Sequence, residues 1–172
     1  MGSSTPSGGG YVMVRVILAW LAVCCSAAGA ELGAPAADFA LPGARGETVR
    51  LSDPREKVVY LDFWASWCLP CVKSFPWMND MQRRYGGKGL RVIAVNLDEK
   101  RADADSFLAR IPARFPVAFD PRAELAKTYG VKGMPSSFLI DRRGRLRFEH
   151  VGFRESSRKE LESEIRRLVD QP

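Results

Sequence analysis

The sequence predicts a single α/β domain in which a mixed sheet is packed between helices. Two near-continuous apolar runs, 57–64 and 90–97, are typical of strands that are covered on both faces. Segments with helical spacing separate the strand-like segments, and such alternation places helices against the sheet. The 172 residues are 46% hydrophobic and 27% charged, which supports a packed core and argues against disorder. The sequence contains no internal repeat that would indicate a second domain.

The elements follow in order along the chain. A hairpin is predicted over 37–51, where turns at Pro42-Gly43 and Arg45-Gly46 separate short extended pieces. The predicted strands are 57–64, 90–97, 116–119, 137–140 and 145–151. The predicted helices are 71–85, 102–110, 123–129 and 157–169. Pro76 should kink the first helix, and Ser157 with Glu160 forms a capping-box pattern at the start of the last one.

The first thirty residues are predicted to be a signal peptide. A start rich in Ser, Gly and Pro precedes Arg15, the uncharged apolar run 16–25 and the small residues 28–30. This is the layout of a secretory signal that is cleaved after Ala30. Because the charged start lies at Met13, we expect Met13 to be the true initiator.

Two other fates of this segment are open. Residues 21–24 resemble a lipoprotein processing site at Cys24, although Val23 fits poorly before that cysteine. An uncleaved anchor is the second alternative, although the apolar run is shorter than a bilayer span. All three fates predict export to the periplasm or another compartment outside the cytoplasm, with or without a membrane tether. The exported domain would comprise residues 31–172.

The formal charge of +6 comes from 26 basic and 20 acidic residues. Such a balance indicates a nucleic-acid surface only where the basic residues cluster on one element. Here they mostly alternate with acids, so we predict no nucleic-acid partner. The densest basic run, 142–147, surrounds Gly144 and is predicted to be a solvated hairpin turn.

Two cysteines, Cys68 and Cys71, lie between a predicted buried strand and a predicted helix start. A bridge across so short a loop contributes little chain entropy, so a reactive role is favoured over a structural one. The positive end of the helix dipole favours a thiolate at Cys68, and Cys71, one turn along, can resolve a mixed disulfide. We therefore expect two sulfur atoms within bonding distance, with Cys68 reachable from solvent.

A metal or cofactor site is not predicted. Zinc requires three or four ligands, and beyond the two cysteines the exported domain offers only carboxylates and His150. His150 lies in a strand-like alternation, which indicates a surface or packed side chain rather than a catalyst.

The string Asp-Phe-Trp-Ala-Ser-Trp-Cys-Leu-Pro-Cys at 62–71 is followed by Pro76 and by Gly-Met-Pro at 133–135. In these features the chain resembles the thioredoxin superfamily. The opening Phe-Ala-Leu-Pro at 39–42 and an insertion over about 99–119 make it similar to exported TlpA-like and ResA-like (DsbE-like) thiol-disulfide oxidoreductases. The resemblance implies a thioredoxin-like fold with an N-terminal hairpin and an inserted helix and strand.

The resemblance also implies roles for individual residues. Cys68 would be the nucleophile and Cys71 the resolving cysteine. A cis peptide bond before Pro135 would face the two cysteines. Substrate contact is implied for Trp67, Pro70, Met134 and Pro135.

Asp62 lies in the middle of the first buried strand. A carboxylate there is costly unless it has a task or a partner. Burial raises the pKa of such a group, which suits a proton acceptor that works near neutrality. Together with the resemblance, this predicts that Asp62 exchanges a proton with Cys71. The alternative is an aspartate that faces solvent at the strand end.

Two positions depart from the family pattern. Thioredoxins place a lysine beside the buried acid, and we expect Val95 to occupy that position here. Many ResA-like proteins have a glutamate three residues after the second cysteine, where this chain has Ser74. The second departure weakens an assignment to apocytochrome c reduction.

The predicted function is the reduction of disulfides in exported proteins by a monomeric oxidoreductase. Leu69-Pro70 supplies no basic group to stabilise the thiolate, so the couple should be reducing. The partners would be protein disulfides and a membrane thiol that donates electrons. A thiol peroxidase of the peroxiredoxin type is one alternative, but it requires Pro and Thr or Ser where this chain has Leu61 and Ala65. A redox-silent chaperone or binding module is the other.

Overall fold

The computed structural model describes residues 1–2, 31–52 and 57–171. Apart from its first two residues, the predicted signal peptide lies outside this described part, and so do Met13 and Cys24. The cleavage site, the lipoprotein site and the true start therefore stay predictions. Among the described residues, no helix combines the length and the apolar character that a membrane span requires.

The described part of the chain contains seven strands and four α-helices. The strands are β1 (Ala40–Pro42), β2 (Thr48–Arg50), β3 (Val58–Trp64), β4 (Leu90–Asn96), β5 (Val117–Phe119), β6 (Ser136–Ile140) and β7 (Leu146–Val151). The helices are α1 (Leu69–Tyr85), α2 (Arg101–Arg110), α3 (Glu124–Thr128) and α4 (Arg158–Val169). Each predicted element is present, and its ends lie within two residues of the prediction, except that the first strand of the hairpin begins three residues later than predicted.

A five-stranded mixed sheet in the order β5-β4-β3-β6-β7 forms the centre of the molecule. β3, β4 and β5 run parallel, whereas β6 is antiparallel to β3 and β7 is antiparallel to β6. Every residue of β3 is buried, as its continuous apolar run predicts. Because β3 and β4 are parallel, their carboxyl ends meet at one edge of the sheet, and the cysteine pair follows β3 at that edge.

Different elements cover the two faces of the sheet. α1, α2 and α4 pack on the face that carries Tyr60 and Trp64. α3 and the β1–β2 hairpin pack on the face that carries Leu61 and Phe63. Side chains alternate between the faces along a strand, so Asp62 shares the face of Tyr60 and Trp64.

The structure confirms the α/β class, the N-terminal hairpin and the insertion, which contains α2 and β5. It also confirms a turn within the arginine-rich run, where Gly144 has a φ of 73° and its N–H donates to the Asp141 carbonyl. α1 continues through Pro76, and the expected kink stays a prediction.

The capping box predicted at Ser157 is wrong. A short 3-10 turn precedes α4, and it gives Ser157 a helical backbone conformation. The Ser157 hydroxyl instead donates to the Arg154 carbonyl over 2.8 Å. Ser157 is the N-cap residue of α4, but its side chain makes no capping hydrogen bond, and the preceding turn that changes its conformation has no strong signal in the sequence.

Candidate active site

The cysteine pair lies at the junction between β3 and α1. A tight turn joins the two elements, in which the Cys68 N–H donates to the Ala65 carbonyl over 3.1 Å. Cys68 is the N-cap residue of α1, and Pro70 lies in the first turn, where a missing N–H has no cost. The first turn of α1 contains no acidic residue, so no charge within that turn opposes the effect of the helix dipole on Cys68.

Cys68 and Cys71 are joined by a disulfide bond, with 5.3 Å between their Cα atoms. Their burial is unequal, because Cys71 is fully buried and Cys68 retains 4% exposure. The expectation that Cys68 is openly reachable from solvent is therefore wrong for this oxidised form. Both cysteines pack as small apolar side chains in the cluster beneath α1. Cys68 is nonetheless the one with a surface that solvent can touch.

Exposed apolar side chains flank Cys68. Trp67 is 69% exposed, Leu69 is 81% exposed and Val72 is also exposed. We call these three residues the apolar rim. Val151 at the end of β7 is exposed as well, and it lies beside Gly133 in the loop before β6. Exposed apolar groups clustered in this way are typical of surfaces that contact other proteins.

The peptide bond between Met134 and Pro135 is cis. Met134 is half-buried and packs against the apolar cluster that contains both cysteines. The Pro135 carbonyl accepts a hydrogen bond from the Gly152 N–H over 2.7 Å, which ties this loop to the chain that leaves β7. The loop is therefore anchored to the end of β7, and through Met134 it contacts the same apolar cluster as the two cysteines.

Asp62 is 1% exposed, which excludes the alternative of a solvent-facing carboxylate. Its Oδ2 atom has no hydrogen-bond partner among the described residues. Burial raises the pKa of Asp62 well above its ordinary value, because an isolated charge is costly in an apolar surrounding. The side chain lies on the sheet face that α1 covers, so a buried carboxyl faces the layer that contains Cys71.

Polar residues connect the position of Asp62 with the surface. In the strand register Asp62 is opposite Ser137, and Ser137 is opposite His150. The Tyr60 pKa is raised, mainly by burial and then by the charges of Asp62 and Glu164, while a hydrogen bond with Ser137 lowers it. His150 Nε2 lies 2.6 Å from Glu164 Oε2 at the outer end of this row. His150 is thus a packed residue in a polar pair, as the sequence predicts.

The AhpC/TSA family model matches residues 32–149. The thiol-disulfide oxidoreductase ResA of Bacillus thuringiensis subsp. konkukian is 37% identical over 139 residues, which are 81% of this chain and 79% of that protein. A crystal structure assigned as thiol:disulfide interchange protein DsbE from Chlorobium tepidum is 56% identical with a TM-score of 0.80, and the match covers 82% of this chain and 99% of that one.

The chain belongs to the AhpC/TSA family. Within the thioredoxin superfamily it is a ResA- and DsbE-like protein, and the matches together with the bonded cysteine pair identify a thiol-disulfide oxidoreductase. The exposed lipoprotein thioredoxin of Streptococcus pneumoniae is also similar, with 35% identity and a TM-score of 0.68 over 77% of this chain and all of that one. The predicted thioredoxin-like fold is therefore confirmed.

The structure corrects which residue lies beside Asp62 in this ResA-like chain, and it shows the surroundings of Ser74. Val95 does not lie beside Asp62, because Ala94 is its partner in the β3–β4 register and Val95 packs on the opposite face. The residue at this position is still uncharged, so no lysine on β4 faces the acid. Ser74 is buried, and its hydroxyl donates to the Cys71 carbonyl over 3.2 Å within α1.

Sequence reasoning did not identify the polar cluster beneath the turn that carries Cys68. Asp98 is buried there and binds Ser66 and Asn96. A signal for it was present, because Asp98 follows β4 just as the cysteine pair follows β3. Parallel neighbouring strands bring such residues to the same edge of the sheet. No group of His, Cys, Asp or Glu in the described ranges is suited to hold a metal ion.

Proposed function

We propose that this oxidoreductase reduces disulfide bonds of proteins outside the cytoplasm. The observation that carries the proposal is the unequal burial of a bonded cysteine pair at the start of α1, where only Cys68 retains exposed surface. This inequality assigns an order to the two sulfur atoms. Cys68 meets the substrate, and Cys71 acts within the protein.

The exchange begins with the reduced protein. The Cys68 thiolate attacks one sulfur of the substrate disulfide, which forms a mixed disulfide and releases the other substrate sulfur as a thiolate. The Cys71 thiolate then attacks the Cys68 sulfur and releases the second substrate thiolate. The substrate gains two electrons and takes up two protons, and the protein is left with the Cys68–Cys71 bond that the structure contains.

Cys71 must lose a proton before it can attack. Its thiol is fully buried, which disfavours the thiolate, so a nearby base is needed. Asp62 suits this role because it is buried on the face that α1 covers and because burial raises its pKa toward the range in which a carboxyl can accept a proton. The proton passes from the Cys71 sulfur to the Asp62 carboxylate, directly or through water.

The surface around Cys68 fits an extended protein segment. The apolar rim offers contact for apolar side chains, and Trp67 provides the largest area. The backbone of Met134, before the cis bond to Pro135, can pair with an extended segment beside Cys68. Pro70 fixes the backbone of the first turn and so keeps Leu69 at the surface.

The direction of electron flow follows from the groups near Cys68. The two residues between the cysteines are Leu69 and Pro70, which add no positive charge. A weakly stabilised thiolate gives a reducing couple, with a potential nearer roughly −270 mV than roughly −120 mV. Reduced protein would be regenerated by a thiol partner in the membrane, and the protein would act as a monomer.

The location outside the cytoplasm is supported by the pattern of the first thirty residues and by the similarity to an exposed lipoprotein thioredoxin. Whether residues 1–30 are cleaved, lipidated at Cys24 or kept as an anchor affects only the distance of the domain from the membrane. In each case the domain would meet disulfides in exported proteins.

Insulin reduction with dithiothreitol as the electron source tests the proposal. The wild-type protein should accelerate the reaction, and Cys68→Ser should abolish the acceleration. Cys71→Ser should instead accumulate a mixed disulfide with the substrate, which mass spectrometry detects. Equal activity of Cys68→Ser and wild type would overturn the assignment of the nucleophile, and no acceleration by wild type would overturn the reductase function.

The peroxidase alternative is disfavoured by the residues around Cys68. Leu61 and Ala65 are apolar and fully buried, and the hydroxyl of Ser66 donates to Asp98. No free hydroxyl is thus left in the 61–66 segment to polarise a peroxide. Consumption of hydrogen peroxide by the reduced protein, at a rate that matches insulin reduction, would reverse this preference.

A further inference from the structure

The turn that presents Cys68 is held from below by a carboxylate of another strand. In this turn, closed by the bond from the Cys68 N–H to the Ala65 carbonyl, Ser66 is the first of the two central residues. The Ser66 N–H lies 2.9 Å from Asp98 Oδ2 and 3.2 Å from Asp98 Oδ1. The Ser66 hydroxyl donates to Asp98 Oδ1 over 2.9 Å. Both hydrogen-bonding groups of Ser66 that face inward therefore bind one carboxylate.

Asp98 is itself fixed by the end of β4. Asn96, which is fully buried, donates from Nδ2 to Asp98 Oδ2 over 2.7 Å and accepts from the Asp98 N–H over 3.1 Å. The Leu97 N–H donates to the Trp64 carbonyl over 2.9 Å, which joins the two chain segments directly. The carboxylate thus lies in a rigid setting between the ends of β3 and β4.

The charge of Asp98 is solvated by neutral groups. Its partners are a backbone N–H, a hydroxyl and an amide, all of which donate, as an ionised carboxylate requires. Within the described ranges, no ion pair includes Asp98. Asp98 is also buried, so water screens its charge only weakly. The negative charge therefore acts on its surroundings.

We propose that Asp98 is a positioning residue of the exchange site, which fixes the Ala65–Cys68 turn and keeps a negative charge beside the attacking sulfur. Only Trp67 separates Ser66 from Cys68 in the sequence, which places the Asp98 carboxylate on the order of 10 Å from the Cys68 sulfur. At that distance a unit charge raises the pKa of a thiol by about 0.5–1 unit. Asp98 thereby opposes the helix dipole and makes the couple more reducing.

Other charged groups near the Cys68 sulfur do not account for the effect that we assign to Asp98. Burial raises the pKa of Asp62 on β3 and so disfavours its charged form, whereas the hydrogen-bond donors around Asp98 favour the charged form of that carboxyl. Lys73 in α1 and Lys132 in the loop before β6 are the nearest cations in sequence to Cys71 and the cis bond, and neither is paired with Asp98. All three are unchanged in the variants below, so their effects cancel in the comparison.

The test is the pKa of Cys68, measured by the pH dependence of iodoacetamide alkylation in reduced protein. Asp98→Asn keeps the shape of the side chain and one acceptor but removes the charge. We expect the Cys68 pKa to fall by about 0.5–1 unit, so the thiolate fraction near neutral pH rises about 3–10-fold. The reduction potential, measured against glutathione, should become less negative. Asp98→Glu, which retains the charge, should return the pKa toward the wild-type value.

Two controls separate charge from structure. Asp120→Asn neutralises another buried aspartate, which binds backbone N–H groups at the start of α3, and it should leave the Cys68 pKa unchanged. Ser66→Ala removes one hydrogen bond but keeps the Asp98 charge, so it should not lower the pKa. Asp98→Ser is a second neutral variant for the case in which Asp98→Asn does not fold.

An unchanged Cys68 pKa in a folded neutral variant would overturn the proposal, and so would an equal fall in Ser66→Ala. The proposal rests on Cys68 as the attacking thiol of the proposed function. The proposed function and the role of Asp98 can be refuted independently. Insulin reduction by the wild-type protein tests the function, and the difference in Cys68 pKa between variants tests the role of Asp98.

Discussion

Asp62→Asn should make the oxidised protein more stable at neutral pH. The Asp62 carboxyl is 1% exposed, its Oδ2 lacks a partner among the described residues, and burial raises its pKa well above the ordinary value. Between the ordinary pKa, about 3.9, and the raised native pKa, the native state binds a proton that the unfolded state has lost. Stability therefore falls as pH rises through this interval, by about 1.4 kcal/mol for each pH unit.

Asp62→Asn removes this dependence of stability on pH. Asparagine is nearly isosteric with the protonated carboxyl, so the two proteins should be equally stable below about pH 4. Above that pH the variant should gain about 1.4 kcal/mol per unit until the native pKa is reached, after which the difference is constant. Urea unfolding of the oxidised proteins from pH 3 to pH 9 gives this difference directly, because titration of the cysteines does not contribute while they are bonded.

Asp120→Asn is the matched control. Asp120 is also buried, but its carboxylate accepts hydrogen bonds from the backbone N–H groups of Glu124, Leu125 and Ala126. Its neutral replacement should therefore destabilise the protein at neutral pH, by about 1–2 kcal/mol. If Asp62→Asn also destabilised the protein at pH 7, the reasoning about an unpartnered buried carboxyl would be refuted.

The same Asp62→Asn variant should lose activity while it gains stability. Without a carboxylate, the buried Cys71 thiol has no base, and the step in which Cys71 attacks the mixed disulfide should slow by roughly 10–100-fold. Single-turnover reduction of a peptide disulfide measures this step. A variant that is stabilised and also resolves the mixed disulfide at the wild-type rate would show that Asp62 is buried without a role in proton transfer.

Three further predictions concern the surroundings of the site. Trp67→Ala should raise the KM for insulin several-fold. Because Trp67 is exposed, the free energy of unfolding should change by no more than about 0.5 kcal/mol. Unchanged kinetics would exclude the apolar rim as a contact surface. Burial alone would raise the pKa of Asp141, but hydrogen bonds from the Arg145 N–H and the Arg147 guanidinium help to lower this pKa overall. Asp141→Asn should therefore reduce the free energy of unfolding by about 1–2 kcal/mol at pH 7. That stabilisation is present above the ordinary pKa and is lost as pH falls through the lowered one, so urea midpoints of variant and wild type should converge in acid. Phe107→Ala should cost about 3–5 kcal/mol in urea unfolding, because Phe107 packs against Trp64 at 4.6 Å between ring centroids; a cost below 1 kcal/mol would contradict that packing.

The elements and the reactive pair could be predicted because their signals are local. The apolar run of β3 indicates a strand buried on both faces, and the cysteine spacing places two sulfurs one helical turn apart. The burial of Asp62 follows from its place inside that run. The cis bond before Pro135 was expected from the resemblance alone, since spacing does not determine a peptide isomer.

The remaining features depend on contacts between distant segments. The neighbour of Asp62 was placed at Val95 rather than Ala94, because a register error of one residue moves a side chain to the opposite face. The binding of Ser66 by Asp98 joins residues that are 32 apart in sequence. The low exposure of Cys68 arises because its side chain packs in the apolar cluster beneath α1, which composition and spacing do not reveal.

The reduction potential of the Cys68–Cys71 couple, measured by equilibration with glutathione or a reference thioredoxin, tests the central claim most directly. The absence of positive charge between the cysteines and the negative charge of Asp98 predict a value near roughly −270 mV. A value near roughly −120 mV would identify a strong oxidant and would contradict the proposal that this protein reduces the disulfides of exported proteins.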